Sequence, residues 1–297
     1  MSAKNKFGEK ILSGEFTVTV EINSPKGTDV FHEIKGLEQM VEMVDAVNIC
    51  DCPMANMRMS PIATAHIVHE LTGIEAIPHF TCRDRNIIAL QSELLGAWAL
   101  GIKNILAITG DPPQRGDHPH VTGVFEVDSA GLVKLAKELN RGFDLSGNEL
   151  RGSTDFIVGV ACNPGAEDLN AEIDRLKQKI DSGADFIQTQ PIYDPDVLLR
   201  FRDRTSNLGV PILAGILPLK SHKMAVHLND KVPGISIPLK YIERMKKGPE
   251  EGVAIAMEFM EQILPYVNGF HIMPLGNTAT AIELLNYIDT IKVRKVI

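Results

Sequence analysis

The sequence predicts an eight-fold β/α barrel in a single domain. Eight short, mostly uninterrupted apolar runs recur along the chain, each ends in polar or Gly/Pro residues, and the stretches between them carry helical spacing. Runs that are apolar throughout, rather than alternating, are what parallel strands become when helices cover the sheet from outside. At 297 residues and 44% hydrophobic, the chain is long enough to bury one such core.

The elements follow in order. Residues 1–15 are polar and charged and read as a lead-in. Strands are expected at Thr17–Ile22, Ala46–Cys50, Ala76–Phe80, Ile105–Thr109, Phe156–Cys162, Phe186–Gln190, Ile212–Leu217 and Phe270–Met273. Among the helices, Leu132, Leu135, Ala136 and Leu139 share one face, as do Ile173, Leu176, the stem of Lys177 and Ile180. Gly101 and Gly183 follow two of these helices and suit left-handed caps. A long stretch separates the last two strands; Pro238–Lys246 and Pro249–Tyr266 both look helical, which predicts a helical insertion over 238–267.

Composition excludes several functions. A net charge of −8 with no basic run argues against nucleic acid or an anionic membrane as partner. No signal core and no membrane-length apolar run is evident, so a cytoplasmic protein without membrane insertion is expected. Four cysteines, Cys50, Cys52, Cys82 and Cys162, are too few for a disulfide framework in a chain this long. Rossmann, P-loop and nucleophile-elbow patterns do not occur.

Barrel enzymes work at the C-terminal ends of their strands. Here those ends carry Glu21, Asp51, His79 and Thr81, Asp111, Asn163, Gln190 and, near the last strand, His271. Glu21 interrupts an apolar strand, where a charge costs several kcal/mol unless paired or neutralised. A raised pKa would make it a general acid; otherwise it caps a loop or pairs with a lysine. Asp111 has the same two readings, since Asp before Pro112-Pro113 is also a good turn residue. Cys50, Cys52, His79 and Cys82 raise the question of a soft-metal site. Their C-x-C and H-x-x-C spacings are not the usual structural-zinc pair, and no metal is expected.

The strand-end set Val20-Glu21, Pro78-His79-Phe80-Thr81-Cys82, Thr109-Gly110-Asp111-Pro112-Pro113, Gly183 to Gln190 and Gly215-Ile216-Leu217-Pro218 resembles the methylenetetrahydrofolate reductase family, in order and spacing over residues 10–290. The resemblance implies a flavin-bearing barrel that reduces 5,10-methylenetetrahydrofolate to 5-methyltetrahydrofolate, by hydride transfer from reduced flavin to a 5-iminium cation. It makes Glu21 the general acid, Asp111 the charge beside flavin and pterin, and Gln190 the amide that binds the pterin. Cofactor contacts fall on Cys50, His79, Thr81, Thr109, Gly110, Asp111, Asn163 and Lys179, for FAD in preference to FMN. The pathways implied are one-carbon routes to methionine biosynthesis or acetogenesis.

Three departures from the family bear on specificity. Glu172, Arg175 and Gln178 replace its polar set around Lys179, which leaves FMN open. Leu219-Lys220-Ser221-His222 stands where an aromatic often stacks on folate or nicotinamide, so His222 is the expected substrate contact there; Gly276-Asn277 replaces an Asn-Arg pair. The implied donor is NADH or NADPH or, with these substitutions, a flavoprotein or iron–sulfur subunit in an oligomer or heteromeric complex. Two other readings remain: a flavin-free pterin-binding methyltransferase barrel, and a catalytically silent barrel subunit of a larger redox complex.

Overall fold

The computed structural model describes residues 5–295, so residues 1–4 of the expected lead-in lie outside it. Eight parallel strands close in sequence order, β1 pairing with both β2 and β8. They are β1 (Thr17–Asn23), β2 (Ala46–Cys50), β3 (Ala76–Thr81), β4 (Asn104–Ile108), β5 (Ile157–Cys162), β6 (Phe186–Pro191), β7 (Ile212–Ile216) and β8 (Gly269–Ile272). Each expected strand is present with ends displaced by at most a residue. Thr109 and Met273 thus fall just past β4 and β8, and Phe156 just before β5.

Helices α1 (Lys6–Leu12), α2 (Phe31–Leu37), α3 (Pro61–Thr72), α4 (Ile87–Ala99), α5 (Ser129–Asn140), α6 (Leu169–Asp181) and α7 (Pro195–Thr205) precede β7. Then come α8 (His222–Lys231), α9 (Leu239–Arg244), α10 (Glu250–Ile263) and, after β8, α11 (Thr278–Lys295). The stretch before β8 therefore holds three helices. Of these α10 packs between α7 and α11 as a member of the outer ring, which leaves α8 and α9 as the additional ones.

The outer ring starts and stops where side chains satisfy its free backbone groups. Asn86, Asp128 and Asp168 cap α4, α5 and α6 by accepting from Ala89, Gly131 and Ala171 N–H. Gly101 and Gly183 take φ of 87° and 108°, and the following residues, Ile102 and Ala184, donate back to Ala97 and Lys179 carbonyls. The expected face of α5 is wholly buried. On α6, Ile173 and Leu176 are buried, but Lys177 is exposed and bonds Asp174, so its stem does not extend that face.

Outward-facing strand residues such as Val18, Val20, Ile49, Ile105, Val158, Ile187 and Phe270 pack on the helices in one continuous core. The inward side differs. At its N-terminal end Ala46, Ile77, Leu106, Phe186 and Leu213 enclose Phe7 and Ile11 of α1. Phe7 meets Phe186 edge to face at 5.4 Å, and Gly159 leaves the space that the Phe186 ring fills. Glu75 accepts from Lys6 and Phe7 N–H and so holds α1 under the barrel. The polar lead-in is a floor plug. Among the described residues no helix is long and apolar enough to cross a membrane.

Candidate active site

Strand period two decides what stands above that floor. Thr19 and Glu21 of β1, Asn48 and Cys50 of β2, Gln188 and Gln190 of β6, and His79 and His271 all point inward. Thr19, Asn48, Gln188 and His271 are buried and bonded into one network. Asn48 and Gln188 exchange amide bonds of 2.9 and 3.0 Å, and Asn48 Nδ2 also donates to His79 Nε2 at 3.1 Å. Gln188 Nε2 donates to Thr19 Oγ1, which lies 2.9 Å from His271 Nδ1. With Thr19 donating to Nδ1, the His271 proton sits on Nε2, directed at Glu21 Oε2 at 3.5 Å.

Glu21 is therefore seated on a polar layer and not in an apolar socket. Burial would raise its pKa. The hydrogen bond from His271, the favourable electrostatics of the His271 and His79 rings and the hydrogen bond from the Cys50 thiol together outweigh that, and its pKa is lowered. The raised pKa that would make Glu21 a general acid is therefore not a property of the free site, because strand geometry supplies donors that the linear sequence does not show. Burial lowers His79 to about 4, leaving a neutral imidazole, while burial and the Glu21 charge push the Cys50 thiol well up.

Above this layer opens a cavity of about 260 Å³, just below the usual range of small-molecule sites. Glu21, Cys50, His79, Asp111 and Gln190 line it together with Asp51, Gln188 and His271; Leu106, Ile108, Ala161 and Met273 form an apolar wall. Asp111 is partly exposed and loosely paired with the more exposed Arg115 at 3.2 Å.

Other expected site residues surround this cavity without lining it. Thr81 donates its N–H and hydroxyl to Asp51 Oδ2, both at 2.9 Å, and Arg85 joins the same oxygen at 2.6 Å. Gly110 has φ +92°, and a Cβ there would lie 3.0 Å from Thr81 Cβ, so glycine lets the end of β4 pass β3. Thr109 accepts from Ser129 N–H at the start of α5. Asn163 Oδ1 accepts from Gly165 N–H, and Lys179 Nζ bonds the Ala161 carbonyl at 2.8 Å, so both brace the end of β5. His222 opens α8 and lines a separate shallow groove along that helix, not the cavity.

Loops fix one side of the mouth. Asp117, after β4, accepts from Lys26 Nζ, Met57 N–H and His118, which ties together the loops after β1, β2 and β4. In the β2 loop Cys52, Met54 and Ala55 all have positive φ (46°, 54° and 57°), a strained conformation placed where Pro53 and Met54 meet the cavity. Of the four cysteines only Cys50 lines the cavity; Cys52 Sγ donates to the Arg58 carbonyl, and Cys82 is buried near Arg85 and Asp128. Sequence reading missed Thr19, Asn48 and Gln188, although each lies two residues before a mouth residue it had singled out.

Three carboxylates, of Glu21, Asp51 and Asp111, and the amides of Gln188 and Gln190 gather around one apolar-walled cavity at the strand ends, the place where β/α-barrel enzymes carry their chemistry. Comparison with known proteins narrows the class, because the family model for methylenetetrahydrofolate reductase matches residues 6–289. The chain belongs to the methylenetetrahydrofolate reductase family, and is an oxidoreductase. It is 34% identical over 225 residues to 5,10-methylenetetrahydrofolate reductase of Pectobacterium carotovorum subsp. carotovorum, covering 70% of this chain and 68% of that protein. The Escherichia coli (strain K12) protein of the same name is 32% identical over the same shares. Methylenetetrahydrofolate reductase 2 of Saccharomyces cerevisiae is 27% identical over 93% of this chain, which spans only 48% of that longer protein. An uncharacterized Clostridium thermocellum protein, described as binding two copies of 5-methyl-5,6,7,8-tetrahydrofolic acid, shares the fold at a TM-score of 0.63 and 16% identity, over 94% of this chain and 98% of that one.

Proposed function

We propose that this mouth binds a flavin and reduces 5,10-methylenetetrahydrofolate to 5-methyltetrahydrofolate. The observation that carries the reading is that Glu21, Asp111 and Gln190, from three separated strand ends, line a single cavity. A planar aromatic group with one polar edge fits that cavity, since apolar Leu106, Ile108, Ala161 and Met273 face amides and carboxyls. FAD is favoured over FMN, with Asn163 and Lys179 on the shoulder beyond the cavity. A bound flavin supplies the hydride.

The chain's own residues handle charge and protons. Gln190 offers a donor and an acceptor to the pterin edge. Asp111, with only a loose tie to Arg115, places negative charge where the opened folate ring becomes an iminium cation. Glu21 is a carboxylate in the open mouth; a substrate seated over it adds burial, the influence that raises its pKa, and so favours the protonated form required to assist ring opening. His271 Nε2 and the Cys50 thiol hold the carboxylate in place meanwhile.

The electron donor is NADH or NADPH, or a reduced flavoprotein or iron–sulfur partner. Exposed Met54, Met57, Val121 and Phe125 on the β2 and β4 loops favour a protein donor docking beside the mouth, in a heteromeric complex in the cytoplasm. Anaerobic stopped-flow separates the half-reactions. Purified protein should release non-covalent flavin on acid treatment. Glu21→Gln should slow folate reduction by about 10² to 10⁴ while leaving flavin reduction by its donor little changed. Equal loss in both half-reactions, or a protein that binds neither FAD nor FMN, refutes the reading. Rapid bleaching by NADH or NADPH alone rules out an obligatory protein donor.

A further inference from the structure

We infer that Glu21, Cys50 and His79 form a binding site for one thiophilic divalent cation, of which zinc best suits the donors. A carboxylate oxygen, the Cys50 Sγ and a His79 ring nitrogen all lie within 4.8 Å of one another. Tetrahedral zinc, with bonds of about 2.0 to 2.3 Å, places its ligand atoms roughly 3.3 to 3.8 Å apart, so closing the site requires each to move by only about 1 Å. Side-chain rotation supplies that. The backbone does not have to yield, because the three residues stand on adjacent, paired strands β1, β2 and β3.

The donor set is a mixed sulfur, nitrogen and oxygen one that selects borderline-soft cations over magnesium or calcium. Three protein ligands leave a fourth position open to the cavity, the arrangement of an accessible zinc centre. Ligation through His79 Nε2 replaces the 3.1 Å bond that Asn48 Nδ2 donates to it, and Asn48 keeps its bonds to Gln188; on the other side His271 Nε2 stands 3.5 Å from the Glu21 carboxylate and steadies it. Binding is ligand exchange without redox change. The Cys50 thiol gives its proton to solvent as the sulfur–metal bond forms, and thiolate and carboxylate balance the charge of the cation.

A cation here occupies the carboxylate on which ring opening depends, so it acts as an inhibitor of the folate half-reaction. That consequence rests on the function proposed above; the binding itself does not. Chelator-treated holoprotein titrated with Co²⁺ should take up one equivalent per chain, with tetrahedral d–d bands at wavelengths beyond those of oxidised flavin, and Zn²⁺ should displace it. Cys50→Ser and His79→Gln should each abolish the bands, whereas Cys52→Ser should retain them. X-ray absorption on the unmutated zinc-loaded protein provides a check independent of variant folding, and should show one sulfur ligand with nitrogen and oxygen neighbours. Absence of the bands, their survival in Cys50→Ser, or a zinc shell without sulfur overturns the site. Stoichiometric binding through Cys50 that leaves folate reduction at its full rate upholds the site and counts against Glu21 as the acid.

Discussion

His79 makes the folded state sensitive to acid, and the size of the effect follows from its environment. Burial at the end of β3 holds the imidazole neutral, with its pKa lowered from 6.5 to about 4. Because the folded-state value is depressed, the unfolded chain binds a proton first as pH falls. Stability is therefore complete above about pH 7 and is lost progressively between roughly pH 6.5 and 4. At about pH 4.5 the two-state linkage expression places the loss near 2.5 kcal/mol, on the order of a quarter of a typical domain's stability. Glu21, with its own lowered pKa, adds a loss of the same sign at lower pH. The assay is urea unfolding near pH 7.5 and pH 4.5 in chelator, so that no cation holds the ring, for the unmutated protein and His79→Gln. The glutamine keeps an acceptor for Asn48 and does not titrate. The variant should lose about 2.5 kcal/mol less on acidification than its parent. Identical pH dependence in the two would mean that the His79 site is open enough to admit a charged ring.

Two further substitutions test the parts that hold this site. Phe7→Ala removes a wholly buried ring from the barrel floor and should cost about 3 to 5 kcal/mol in chemical denaturation, while a cost below about 1 kcal/mol would show that α1 is not the plug described. Gln188→Leu leaves Asn48 and Thr19 without their shared partner, and should cost about 1 to 3 kcal/mol per orphaned group and loosen His271 beneath Glu21. Unchanged stability together with unchanged folate kinetics would remove the polar layer from the account.

The strands were legible because a barrel sheet is buried on both faces, so Val47, Ile49, Ile105, Ala107, Val158 and Val160 appear as dense apolar runs whatever the register. That same density hid the interior. Thr19, Asn48 and Gln188 look like interruptions of unrelated strands until closure sets them side by side, and only the last inward residue of each strand stood out by its place at a run's end. The floor plug escaped for the opposite reason. Phe7 and Ile11 are two apolar positions at helical spacing in a charged segment, too sparse to signal burial without the ring of Ala46, Ile77 and Leu213 that receives them. His222 shows the limit of carrying position from one sequence to another. It follows β7 at the spacing of a mouth residue, yet it sits in the first turn of α8, which Ser221 caps by accepting from Met224 N–H, and lines a groove along that helix. What chain order determines is which loop a residue occupies. Whether it faces the cavity depends on how that loop ends, and for Glu21, Asp111 and Gln190 the strand itself, or the turn immediately after it, makes that choice.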